Sequence, residues 1–121
     1  MPGASAAFLG GVVSYTNGVK ADILNVPQSI LDEYGAVSEP VARAMAEGVR
    51  ARTGADYALS VTGVAGPDTD ERGNPVGLVY VGLAAPEGTE VRERRFGKRT
   101  REHIRQQSAN TAFDLLRRAL Q

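Results

Sequence analysis

Residues 57–84 read YALSVTGVAGPDTDERGNPVGLVYVGLA, and the reading of this stretch decides the fold. Its two ends, Tyr57–Gly63 and Val76–Ala84, are short apolar runs rich in Val, Leu and Tyr. The second lacks any apolar–polar alternation, which predicts a strand covered on both faces. Between them lies VAGPDTDERGNPVG, residues 64–77, rich in Gly, Pro and Asp. Loops of about a dozen residues are uncommon inside compact domains and often carry function.

Upstream, AVSEPVARAMAEGVRARTGAD is the clearest helix. Ser38 is a plausible N-cap, Glu39 and Pro40 suit a first turn, and Gly54 is a natural stop. Val41, Ala42, Met45, Ala46 and Val49 recur on one helical face, with Arg43, Glu47 and Arg50 opposite. PQSILDEYG predicts a shorter helix opened by Pro27 and closed by Gly35. Further back, FLGGVVSYT predicts a buried strand with close backbone approach at Gly10-Gly11. Downstream, TEVRERRFG alternates in the manner of an edge strand. TREHIRQQSANTAFDLLRRALQ then predicts a long helix with Thr100 as N-cap. Its apolar stripe is expected to comprise Ile104, Ser108, Thr111, Phe113, Leu115, Leu116 and Leu120. Buried strands interspersed with amphipathic helices indicate an α/β class chain, a three-layer α/β/α sandwich with a mixed sheet.

The 121 residues suffice for a single domain with a real core, spanning 1–121. Apolar residues form 42% and charged residues 23%, and the formal net charge is +0. That balance gives no bulk electrostatic reason to expect nucleic acid or an anionic membrane as partner. The absence of Cys excludes disulfides and thiolate metal sites, and the one His leaves few transition-metal ligands. No apolar run reaches the ~18–20 residues of a membrane span. Cytoplasm is the default expectation.

Four segments could carry chemistry. In SYTNGVK, Lys20 lies near Tyr15, and a desolvated lysine can activate a hydroxyl while a phenol relays the proton. Ser5, among the small residues of PGASAAF, is the matching candidate nucleophile. Asn17-Gly18 is equally a common turn dipeptide, with Lys20 simply solvated. SVTGVAGPD ends a strand with glycines that admit a substrate to the backbone at Gly63, and with the Thr62 hydroxyl. It is neither a dinucleotide fingerprint nor a P-loop, and a tight turn explains it as well. FGKRTREHIRQQ gathers Lys98, Arg99, Arg101 and Arg105 around a helix start, a possible phosphate site or a solvated charge run. Asp68, Asp70 and Glu71 form a metal site on paper only.

Taken together, PGASAAFLGGVVSYTNGVKADILNVP, YGAVSEPVARAMAEGVRARTGADYALSVTGVAGPD, NPVGLVYVGLA and RFGKRTREHIRQQSANTAFDLL resemble the CinA carboxy-terminal domain family in order, spacing and wording. That family includes nicotinamide mononucleotide deamidases of the PncC type. The resemblance implies amide hydrolysis by a Ser/Tyr/Lys arrangement with no required cofactor or metal. Ser5 matches the last Ser of the family's PGSS segment, with Ala4 in place of the preceding Ser. Tyr15 and Lys20 match its Tyr-x-Asn-x-x-Lys element, and Thr62 its strand-end Thr. Arg105, with Arg99 as second choice, would hold the substrate phosphate. Family members carry a strand and helix bearing AESCTGG ahead of PGSS. The resemblance therefore implies a form truncated at its N-terminus, a sheet edge needing cover, and self-association into a homo-oligomer. The competing expectation is an inactive member serving as a nucleotide-binding or oligomerisation module.

Overall fold

The computed structural model of the chain describes residues 8–11 (backbone alone), 26–66, 68–70 and 72–120. The elements run β1 (Phe8–Gly11), α1 (Gln28–Tyr34), α2 (Glu39–Thr53), β2 (Tyr57–Gly63), β3 (Leu78–Ala85), β4 (Gly88–Arg95) and α3 (Arg101–Ala119). The strands form one mixed sheet in the order β1-β2-β3-β4. β1 pairs with β2 in parallel, and the other two pairings are antiparallel.

Helix α2 forms where the sequence predicts it, and its five periodic apolar residues are all buried. Burying a side chain such as Val41 or Met45 contributes about 1.5–3 kcal/mol. Gly54 ends the helix at φ +71°, and its N–H donates to the Arg50 carbonyl. That left-handed conformation is costly for a residue with a Cβ. Ser38 occupies the N-cap position with extended backbone, yet its side chain does not cap. Its hydroxyl turns back and donates to the Gly35 carbonyl at 2.8 Å, fixing the link between α1 and α2.

The sheet is packed on both faces, which gives three layers. On one face, Ala58 joins Val26, Leu31, Val41, Met45 and Val49 in a cluster under α1 and α2. On the other, Leu59, Val79, Val81 and Leu83 pack with Ile104, Ala112 and Leu115 of α3. β3 is buried along nearly its whole length, as its unbroken apolar run predicts, while β4 is largely exposed at the edge. The close approach of α2 requires small residues: an added Cβ on Gly82 would sit 2.6 Å from Ser60 Oγ and 2.8 Å from the Ala42 carbonyl oxygen. Ser60 is itself buried and donates to that same carbonyl at 2.7 Å.

Thr100 caps α3 by accepting from the His103 N–H at 3.1 Å. The predicted stripe of this helix needs one correction. Phe113 is 59% exposed, and Ala112 takes the buried position beside it. With successive residues turned by about 100°, Ile104, Ser108, Ala112 and Leu115 line up inward, and Phe113 rotates off that line. Ser108 is accommodated in the core because its hydroxyl donates to the Ile104 carbonyl at 2.7 Å.

Candidate functional site

Topology gathers the predicted binding residues at one end of the sheet. β2 ends there at Gly63, β3 begins there, β4 ends there, and α3 starts just beyond. β1 is parallel to β2, so its carboxyl end points the same way. The loop 64–77 is closed at its root: Val64 N–H donates to the Leu78 carbonyl, and Gly77 N–H donates to that of Val64 at 2.8 Å. Gly77 has φ +93°, and a Cβ there would collide with the backbone of Gly97. Val37, Val64, Val76, Leu78 and Ile104 share one buried cluster beneath this end. The α1–α2 connector, the loop root and the first turn of α3 thus rest on common apolar ground.

Thr62 is buried, at 5% exposure, and its hydroxyl donates to the Ala36 carbonyl at 2.7 Å. It therefore ties the strand end to the α1–α2 connector. Gly63 has a packing reason of its own, since a Cβ there would lie 2.7 Å from Val79 Cγ2 and 2.9 Å from the Leu78 carbonyl oxygen. Arg99, just before the N-cap, and Arg105, one residue after buried Ile104, are both exposed at the start of α3, as is His103. Ser5, Tyr15 and Lys20 lie outside the described residues.

Of the acidic loop residues, Glu71 lies outside the described residues, and Asp70 builds a turn. Asp70 Oδ1 accepts from the backbone N–H groups of Arg72 and Asn74, and Oδ2 accepts from the Asn74 side-chain amide at 2.7 Å. A carboxylate engaged on both oxygens in its own turn holds the loop in shape. Among the described residues, no group of three or more His, Asp and Glu could hold a metal ion. Arg72, which no motif singled out, reaches across to the end of α1 and donates to the carbonyls of Asp32 and Glu33. The signal that could have found this turn is the pattern Asp70-x-Arg72-Gly73-Asn74. An Asx acceptor before a glycine, here at φ +79°, favours a tight turn that throws the intervening side chain outward.

Tyr80 stands opposite Thr62 in the β2–β3 register and opposite Glu93 in the β3–β4 register. Its hydroxyl donates to Glu93 Oε1 at 2.8 Å. Burial raises the Tyr80 phenol above its ordinary value, and the bond to Glu93 and that residue's charge raise it further. The Glu93 carboxyl is held below the ordinary range, foremost by the bond from Tyr80, with Arg95 assisting. Two open grooves flank the β3–β4 hairpin at the opposite end of the sheet. One lies between Arg92 and Arg118, and the other beside Glu47 and Arg50. Both are remote from the strand-end residues. No helix among the described residues is long and apolar enough to cross a membrane.

Comparison with known proteins agrees with this architecture. The family model described as the CinA C-terminal domain matches residues 1–120. A CinA-like protein of Parasynechococcus marenigrum is 48% identical over 99% of this chain, and one of Rippkaea orientalis is 52% identical over 98%. The chain spans 29% of the length of each. Among solved structures, a competence/damage inducible protein of Agrobacterium tumefaciens superposes with a TM-score of 0.85 at 39% identity. That superposition covers 90% of this chain and 67% of the other. A CinA superfamily protein of Escherichia coli gives a TM-score of 0.81 at 33% identity, covering 86% and 60%. The family-model match over residues 1–120, together with an architecture shared with solved CinA superfamily proteins, places the chain in the CinA C-terminal domain family.

Proposed function

We propose that the chain is an amidohydrolase that converts nicotinamide mononucleotide and water to nicotinate mononucleotide and ammonia. The observation that carries this reading is the extent of the family match. It runs through residues 1–120 and so spans the segments holding Ser5, Tyr15 and Lys20.

In this reading Ser5 Oγ attacks the carboxamide carbon while the neutral Lys20 amine takes the hydroxyl proton, with Tyr15 between them. The C–N bond then breaks, and the leaving nitrogen departs as ammonia with the proton returned from Lys20. Water, deprotonated by the same amine, cleaves the resulting ester and frees Ser5 and the carboxylate product. A pyridinium ring near Lys20 would favour its neutral form, because like charges disfavour protonation. The phosphate at the other end of the same substrate suits Arg99 and Arg105. Thr62 and Gly63 would form the wall between the two ends, and no cofactor enters the scheme. The chain acts in this reading as one domain within a homo-oligomer.

Ammonia release from the mononucleotide tests the reading, with Ser5→Ala and Lys20→Ala as the variants. Loss of release in both supports it, whereas unchanged release in Ser5→Ala removes the nucleophile assignment. The alternative reading is a family member that binds nucleotide or serves as an oligomerisation module without catalysis. Nucleotide binding without ammonia release, insensitive to Lys20→Ala, would favour it.

A further inference from the structure

The loop after β2 and the connector between α1 and α2 meet at one side chain. The Arg72 guanidinium donates from Nη1 to the Glu33 carbonyl oxygen at 3.0 Å and from Nη2 to that of Asp32. Both acceptors belong to the last turn of α1, where no further turn supplies donors. Gly35 lies against the same side chain: a Cβ there would sit 2.5 Å from Arg72 Cδ and 2.6 Å from Nε. Its φ of +81° makes the position doubly suited to glycine. Arg72 is also held from behind, because its own N–H is bound by Asp70, whose carboxylate closes the turn through Asn74. The guanidinium is thus the tip of a preset turn rather than a solitary side chain on a surface.

The two segments joined by Arg72 are those that frame Thr62. The connector receives the Thr62 hydroxyl at Ala36, and Val37 of the connector shares a buried cluster with Val64 and Val76 of the loop root. We propose that Arg72 is a positioning residue for amide hydrolysis at this end of the sheet. It locks the β2–β3 loop onto the α1–α2 connector, so that both present one fixed wall to the nucleotide. The proposal deepens the amidohydrolase reading and rests on it. Arg72 touches no reacting atom and acts through the segments it clamps. A planar guanidinium serves two neighbouring carbonyls at once, which the single ammonium of a lysine does less well.

The test compares the full chain with Arg72→Ala and Arg72→Lys by amide hydrogen exchange and by steady-state hydrolysis of nicotinamide mononucleotide. In Arg72→Ala, exchange in residues 33–38 and 72–77 should accelerate together, on the order of 10-fold, with β3 unaffected. KM should rise more than kcat falls, because a loosened wall weakens ground-state and transition-state binding alike. Arg72→Lys should recover part of the KM. Unchanged exchange in either segment overturns the proposal. So does faster exchange in both with KM and kcat unmoved, which would make the clamp structural only. If the parent chain releases no ammonia, the assigned reaction fails and the positioning role falls with it, while the joint exchange change still tells whether Arg72 clamps the loop to the connector.

Discussion

Replacing Gly82 with alanine places a methyl group where α2 meets the sheet, and the consequence can be worked from the geometry. The new Cβ would sit 2.6 Å from Ser60 Oγ and 2.8 Å from the Ala42 carbonyl oxygen. Ordinary contacts begin near 3.4 Å, so α2 must back away by several tenths of an ångström or Ser60 must change rotamer. Ser60 cannot turn freely, because its hydroxyl is bound to the same carbonyl. Overpacking of this kind costs about 1–3 kcal/mol. The reduced freedom of the unfolded chain returns about 0.4–1 kcal/mol. A net loss near 1–2 kcal/mol corresponds to a fall in Tm of roughly 4–8 °C for a domain of this size. Thermal unfolding followed by circular dichroism reads it directly. Ser60→Ala removes one of the two obstacles, so the double variant should lose less than the sum of the singles. A Gly82→Ala protein with unchanged or raised Tm would refute the claim that α2 is seated on a backbone-tight contact. Under the amidohydrolase reading, the same variant should also lower the affinity for nucleotide, since α2 begins at the connector clasped by Thr62.

Other perturbations separate structural from chemical roles. Thr62→Val keeps the shape but deletes the donor to Ala36. It should cost about 1 kcal/mol in urea unfolding, with Thr62→Ser nearer the parent. Equal stability of parent and Val variant would show that the tether carries no weight. The Asp114 carboxyl is lowered foremost by the bond from Arg117, with Arg118 adding to it. A depressed folded value means stabilisation that is present above the unfolded value of about 3.9 and is lost as pH falls through the folded one. Asp114→Asn should therefore flatten the acid limb of a Tm–pH profile, and an unaltered limb would contradict the assignment. Tyr80 is raised, so its contribution is intact below about pH 10 and declines as pH climbs through the folded value. Tyr80→Phe should remove that alkaline decline.

How far the sequence could be read depended on whether a feature is local. α2 announces itself because its apolar spacing, its first-turn proline and its terminal Gly54 all lie within one stretch. The ends of β2 and the loop root were legible for the same reason, as was Thr100 as the cap of α3. Features that depend on partners distant along the chain, or on the rotamer or helix face a residue takes locally, were not. Nothing near Ser38 says that its hydroxyl will turn back to Gly35. Nothing near Arg72 names carbonyls 39 and 40 positions earlier as its partners. Phe113 looks like a core residue in any composition, and only the rotation set by Ile104, Ser108 and Ala112 puts it outside. Thr62 was legible as a strand-end hydroxyl, while its acceptor was invisible until the connector folded over it.

The pairing of β1 with β2 also has a bearing on the order of assembly. Phe8 lies opposite Tyr57, 49 positions further along the chain, whereas β3 and β4 are joined across the two residues Pro86 and Glu87. Closing the short hairpin is fast, while a parallel partner drawn from far away must wait for a costly loop to close. β1, although made before β2, β3 and β4, is therefore the strand of this sheet expected to dock late, onto a platform of those three already formed. Pulse-labelled refolding should protect the amides of Val79–Leu83 before those of Phe8–Gly11. β1 would then gain its partner strand only after the rest of the sheet is in place, and under the amidohydrolase reading, in which Ser5, Tyr15 and Lys20 flank β1 in sequence, that late docking is a built-in delay between folding and chemistry.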